Sequence, residues 1–129
     1  MADTFNIFPV FNGTKRLALH IVGATSDGSN TAITISAATY AATSFTINKI
    51  TWTLSAVGFT LHEKASSNYL VFSANSGFAA TNQGSFNFTE YGGIENSKQS
   101  GNNGDLVITP TANANGDSFS IFIELTKNY

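Results

Sequence analysis

Between Ser118 and Leu125 every second residue is apolar: Phe119, Ile121, Ile123 and Leu125 alternate with Ser118, Ser120, Phe122 and Glu124. A repeat of two sends consecutive side chains to opposite faces of an extended chain. This stretch therefore has one apolar face and one mostly polar face, the pattern of a strand packed on a core from one side. A helix would need apolar residues three and four apart, and Ser, Phe and Ile are weak helix formers that suit a pleated surface. Upstream, Leu106 and Ile108 alternate with Val107 and Thr109, and Pro110 to Gly116 carries turn residues. Residues 103–125 thus read as strand, loop, strand, a terminal hairpin against which the rest of the chain packs.

The same alternation recurs through the chain. Segment 3–10 holds Phe5, Ile7 and Phe8 close together and reads either as a short strand or as an arm lying on a neighbour; 11–14 reads as a turn. Leu17, Leu19 and Ile21 mark a strand, Ser26 to Asn30 a turn, and Ile33 and Ile35 another strand, with 37–43 a loop. In 44–54 the apolar parity changes, since Phe45 and Ile47 are odd and Ile50, Trp52 and Leu54 even. One extra residue near Asn48 or Lys49 then makes a bulge, or the strand changes sheet there. Val57 and Gly58 read as a turn into a return strand with Phe59 and Leu61, ending near Glu63 as a hairpin; 69–73 is a short strand, 74–83 a loop, and Phe86 and Phe88 lie on one more strand. From Glu90 to Gly104 the chain is nearly all turn chemistry around a single aliphatic residue, Ile94, and a loop of that length is usually functional or packed on a partner. Eight or nine short strands, no helix and no internal repeat predict an all-β fold. Such a count fits a β-sandwich or a small barrel; the expected form is a single antiparallel β-sandwich domain over 1–129, jelly-roll-like, with 1–11 as an N-terminal arm and Leu106, Ile108, Phe119, Ile121, Ile123 and Trp52 in its core.

Composition narrows the function. Charged residues make up 11% of the chain, against ~25% in an ordinary soluble domain, while Ser, Thr and Asn supply about a third, so the surface is hydroxyl and amide rather than ionic. Six basic residues and a net charge of -2 leave no electrostatic footprint for nucleic acid, and no apolar run approaches the length of a membrane span. The N-terminus lacks the basic and apolar regions of a secretion signal, which predicts a protein made in a cytoplasm. With no cysteine there is no disulfide, thiolate metal site or thiol nucleophile.

The groups able to carry chemistry are few. His20 stands on the minor face of an apolar strand, where a hydrogen-bonded structural role fits better than a catalytic one. His62 and Glu63 are neighbours on a strand and point to opposite faces, and the eight carboxylates form no pair on one strand face. Asp27, Ser29 and Asn30 bring oxygens to one turn, yet calcium needs six to eight. No nucleophile elbow, zinc-binding helix motif, P-loop or dinucleotide fingerprint is present. The expectation is no enzyme, no metal and no cofactor. Among the aromatic residues, Tyr91 beside Gly92 and Gly93 is the one expected to stand exposed.

Met1 to Thr4, Asn12 to Arg16, Ser26 to Gly28, Lys49 to Trp52, Tyr91 to Ile94, the Gly-Asp pairs at 104–105 and 116–117 and the following Ser118 and Phe119 together resemble the small β-sandwich structural proteins of tailed bacteriophages. The resemblance is spread over most of the chain, in short turn and strand motifs. It implies a virion component of the capsid decoration or cement type, located on the capsid surface. Its partners would be the major capsid protein or other virion subunits, and in a homo-trimer a second copy; it implies no catalytic residue. Partner contacts are expected from Phe5, Ile7, Phe8 and Phe11, which are too closely spaced for all to be buried under one strand, and from Tyr91 and Ile94 in the long loop. The rival reading is a receptor- or glycan-binding module of the fibre or lectin-like kind on the same sandwich, which exposed aromatics beside amide side chains on one rim would favour.

Overall fold

A computed structural model describes residues 4–24, 32–55, 57–75, 81–98, 100–112 and 118–129. The turn at 26–30, with Asp27, Ser29 and Asn30, lies outside the described residues, as does the connection 113–117. Nine strands follow in order: β1 (Thr4–Asn12), β2 (Arg16–Ala24), β3 (Ile33–Ile35), β4 (Ser44–Ser55), β5 (Val57–Glu63), β6 (Tyr69–Asn75), β7 (Thr81–Asn87), β8 (Leu106–Ala112) and β9 (Ser118–Asn128). Two single turns of 3-10 helix, Ala38–Tyr40 and Thr89–Tyr91, interrupt the connections.

The strands form two antiparallel sheets, ordered β1-β2-β9-β4-β7 and β3-β8-β5-β6. The pairs β2 with β9, β3 with β8, β4 with β7 and β5 with β6 are nested, so the chain from β2 to β9 is one long ribbon doubled back between β5 and β6 and then rolled up. Rolling brings β9 against β4 and β8 against β5, which closes each sheet. This is a jelly roll, with β1 added at one edge as a fifth strand. Both sheets turn their apolar sides inward. Leu17, Leu19 and Ile21 of β2, Ile50, Trp52 and Leu54 of β4, and Phe119, Ile121, Ile123 and Leu125 of β9 meet Ile33, Ile35, Phe59, Leu61, Leu106 and Ile108 from the other sheet.

Two expectations need correction. The stretch 103–125 is not a hairpin, because β8 and β9 belong to opposite sheets; the same holds for β4 and β5, which also lie in different sheets. Alternation identifies the buried face of each strand but is identical for two strands paired side by side and two facing each other across a core. Pro110 is not a turn residue either; it lies buried within β8, opposite Phe59. Among the described residues β3 pairs only with Leu106 to Ile108, and no other strand lies on that side of β8 beyond Ile108, which suits a residue without an N–H. Of the two readings of segment 3–10, the strand is the one seen: residues 4–11 lie in the edge strand β1, paired with β2 from Thr4 to Asn12.

The parity change in β4 is a bulge. Ile47 pairs with Leu125 and Lys49 with Glu124, so Asn48 is the extra residue. Its added polar groups are used: the Asn48 carbonyl accepts from the Phe88 N–H at 2.8 Å, and its side-chain amide donates to Thr126 Oγ1 at 2.8 Å.

Candidate interaction surface

A second bulge shapes the outer edge of the five-stranded sheet. Phe8 pairs with His20 and Pro9 with Leu19, but Phe11 pairs with Ala18, which leaves Val10 as an extra residue. On β2, Leu17, Leu19 and Ile21 are buried while Ala18 and His20 are on the outer face. Phe8 and Phe11 therefore share that outer face, although three residues of regular strand would have put them on opposite sides. The two rings are 53% and 57% exposed, and Val10 at the bulge is 60% exposed. No charged residue occurs anywhere in β1.

The same face continues inward across the sheet. His20 pairs with Phe122 as well as Phe8, with 6.5 Å between the His20 and Phe122 ring centroids. His20 Nε2 is 2.7 Å from Ser120 Oγ on β9, so the imidazole has the hydrogen-bond partner expected of it. Phe8, His20 and Phe122 form a row across three strands, with Phe11 and Ala18 in the next row.

The remaining expected contact residues divide. Phe5, opposite Gly23, and Ile7, opposite Ile21, turn toward the core side of β1; Ile7 is half-buried against the core and Phe5 sits at its rim. Tyr91, in the second 3-10 turn, is 83% exposed. Ile94 is not presented outward: its N–H and carbonyl bridge to the Ile47 carbonyl and N–H at 2.8 and 2.9 Å, and its side chain packs partly on the core. It continues on β4 the position that β7 occupies further along, at the sheet edge opposite β1. Tyr91 and Ile94 thus do not share a surface with Phe8 and Phe11. Val10 and Phe122, which do, went unnoticed in the sequence, and only the bulge at Val10 could have revealed the grouping.

The described residues of the long loop are also tied to the body of the domain. Glu63 at the end of β5 is 2% exposed, and its Oε1 accepts hydrogen bonds from the Ser97 N–H at 2.8 Å, the Ser97 hydroxyl at 3.0 Å and the Asn102 amide at 2.9 Å. Further on, Lys64 exchanges backbone bonds with Asp105 and Asn103, and Asp105 Oδ1 accepts from the Ala37 N–H at 2.8 Å. Gly104 has φ of +87°, and a Cβ there would fall 1.8 Å from the Thr43 carbonyl oxygen, so only glycine lets the loop lie this close.

At the other edge, Trp52, Phe59, Phe72, Phe86 and Phe88 form a continuous aromatic cluster where β7 and β6 face each other, with neighbouring centroids 5.4 to 6.5 Å apart. The Trp52 indole lies over Gly84, where a Cβ would come within 2.6 Å of the ring, and its Nε1–H has no partner among the described residues. Phe86 at the mouth of the cluster is half exposed.

No protein-family model matches the chain, and no curated protein matches it in sequence. Among solved structures, it is similar to a family 11 carbohydrate-binding module from Clostridium thermocellum in complex with a β-1,3-1,4-mixed-linked tetrasaccharide, at 11% identity and a TM-score of 0.40, over 98% of this chain and 82% of that one. A likeness at that level assigns neither function nor ligand to this chain.

Proposed function

We propose that the protein is a virion component of a tailed bacteriophage, a decoration or cement protein that docks on the major capsid shell through the outer face of β1. The observation that carries this reading is the exposed, uncharged Phe8, Val10 and Phe11 strip on an edge strand. Edge strands are commonly blunted with charges, Pro or a bulge; β1 has Pro9 and the bulge at Val10 but no charge, so its outer face stays apolar. Covering a Phe ring contributes about 1.5 to 3 kcal/mol, and a shell repeats the contact at every symmetric position, so one small apolar strip per copy suffices. The resemblance to phage structural proteins supplies the identity of the partner. In this role the protein is not an enzyme and binds neither nucleic acid nor membrane, and a trimer on the shell fits the symmetry of capsid lattices.

The test is binding to undecorated capsids at low and high salt by the native protein and by the Phe8→Ser, Phe11→Ser double variant. The native protein should saturate the shell and stay bound when salt is raised, because the strip carries no charge. The double variant should fold and lose at least about tenfold in affinity. Equal occupancy by both proteins, or release of the native protein by moderate salt, would overturn the proposal.

A further inference from the structure

Where the start of β4, the end of β9 and the long loop converge, they enclose a cleft of about 410 Å³ that the docking strip does not use. We propose that this cleft is a binding site for a neutral carbohydrate, holding one or two sugar rings of a glycan.

The floor is fixed. The Asn128 side-chain amide donates to Ser44 Oγ at 3.2 Å and to Thr46 Oγ1 at 3.1 Å, while the Asn128 carbonyl accepts from the Thr43 N–H at 2.8 Å and the Thr43 hydroxyl at 2.9 Å. Since Ser44 and Thr46 use their oxygens as acceptors in these bonds, each keeps its own hydroxyl proton to give to a ligand. The wall is fixed as well. Asn96 donates to Asn102 Oδ1 at 3.1 Å and accepts from the Lys98 N–H at 2.8 Å, and Asn102 in turn is tied to buried Glu63. Glu95 and Lys98 add one acceptor and one donor of opposite charge. Tyr129 completes the lining; it is largely exposed, and its hydroxyl donates to the Thr14 carbonyl.

This inventory selects a ligand class. A calcium ion needs six to eight oxygens, several of them carboxylates, and among the described residues the cleft has one side-chain carboxylate, that of Glu95. A phosphate would meet a single lysine beside a glutamate among these residues, with no helix N-terminus to receive it. Among the described residues no aliphatic side chain lines the cleft, so an apolar ligand would lose its hydration without gaining contact. A sugar matches each part: its hydroxyls both donate and accept, as the Ser, Thr and Asn groups do, and the C–H face of its ring stacks on a tyrosine. The volume suits roughly one or two rings on the usual scale of ligand pockets. Because the groups are already held by bonds within the protein, little ordering cost falls on binding.

The experiment is an amide NMR titration of the intact chain with cellobiose, maltose, lactose and chitobiose, with glycerol as control. At least one disaccharide should give saturable shifts confined to Ser44 to Thr46, Glu95 to Lys98 and Asn128, with a dissociation constant on the order of millimolar. Asn96→Ala and Tyr129→Ala should each weaken that binding by about tenfold or more, and Phe8→Ser should leave it unchanged. The same spectra report whether each variant is folded, and should Asn96→Ala disturb the loop, Tyr129→Ala at an exposed position carries the decision. The absence of saturation with all four disaccharides overturns the proposal, as do equal shifts with glycerol, shifts centred on the aromatic cluster around Phe86, or undiminished binding in the Tyr129 variant. None of these outcomes touches capsid docking, which is read on capsids through the Phe8, Val10 and Phe11 strip, none of whose residues lines the cleft.

Discussion

Phe8 and Phe11 lie three residues apart in sequence and on one face of β1, because Val10 bulges between them. Regular strand geometry would send one ring outward and the other into the sandwich. The bulge thus converts a scattered set of aromatics into a contiguous strip. Deleting Val10 removes the extra residue and leaves Phe8 and Phe11 two positions apart, so a regular strand keeps both rings on the outer face. The deletion variant should keep its strand content by circular dichroism and keep its capsid binding, whereas Phe11→Ser weakens binding by about tenfold. Loss of binding by the deletion variant would show that Val10 itself, and not the shared placement of the two rings, governs attachment.

How far the sequence could be read follows from such details. The buried faces of β2, β4 and β9 were legible because their alternation is uninterrupted or broken once, at Asn48, where the apolar residues themselves record the slip. The bulge at Val10 left no such trace, since Phe8, Val10 and Phe11 are all apolar and either register looks alike. Sheet membership was hidden for a different reason. Pairs such as Arg16 with Thr126 join residues from opposite ends of the chain, and nothing local distinguishes a hairpin from a crossing between sheets. Likewise the turn residues of the long loop did not reveal that buried Glu63 holds it, because the donors are one backbone N–H and two common polar side chains.

Glu63 supplies the next prediction. Three donors converge on one oxygen of a carboxylate that is almost fully covered, so removing it leaves the Ser97 N–H and hydroxyl and the Asn102 amide without their acceptor. Glu63→Ala should cost about 2 to 4 kcal/mol in chemical denaturation, since each stranded group forfeits part of a charge-assisted bond. Hydrogen exchange should also accelerate at Ser97, a change that a general loss of packing would not confine to the loop. Protection at Ser97 equal to that of the native protein would show that the loop is held by Ile94 and Gly104 instead.

The core itself gives a simpler expectation. Ile121 is fully buried at the centre of β9, opposite Ile21 on one side and Trp52 on the other. Ile121→Ala should destabilise the fold by about 2 to 5 kcal/mol, as a cavity in a close-packed interior does. Thermal or denaturant unfolding measures it, and a loss under about 1 kcal/mol would mean that the two sheets collapse onto the gap.

Gly84 tests the aromatic cluster from the opposite direction, by adding volume. It pairs directly with Trp52, and the absent side chain is what lets the indole lie across β7; a Cβ would stand 2.6 Å from one ring carbon and 2.9 Å from another. Both atoms belong to a rigid ring that is only 7% exposed and packed against Phe59, Phe72 and Phe86, so the indole cannot yield without moving its neighbours. Gly84→Ala should therefore destabilise the protein by about 1 to 3 kcal/mol, despite the better intrinsic strand preference of alanine. Trp52 is the single tryptophan, so its fluorescence reports the displacement directly: the emission should shift to longer wavelength as the ring is pushed toward solvent. The double variant Gly84→Ala, Phe86→Ala, which opens space on the stacked side, should recover part of the loss beyond the sum of the single effects. Strict additivity in that cycle, with an unshifted emission maximum, would show that β7 moves away as a unit and that the indole never depended on the missing side chain.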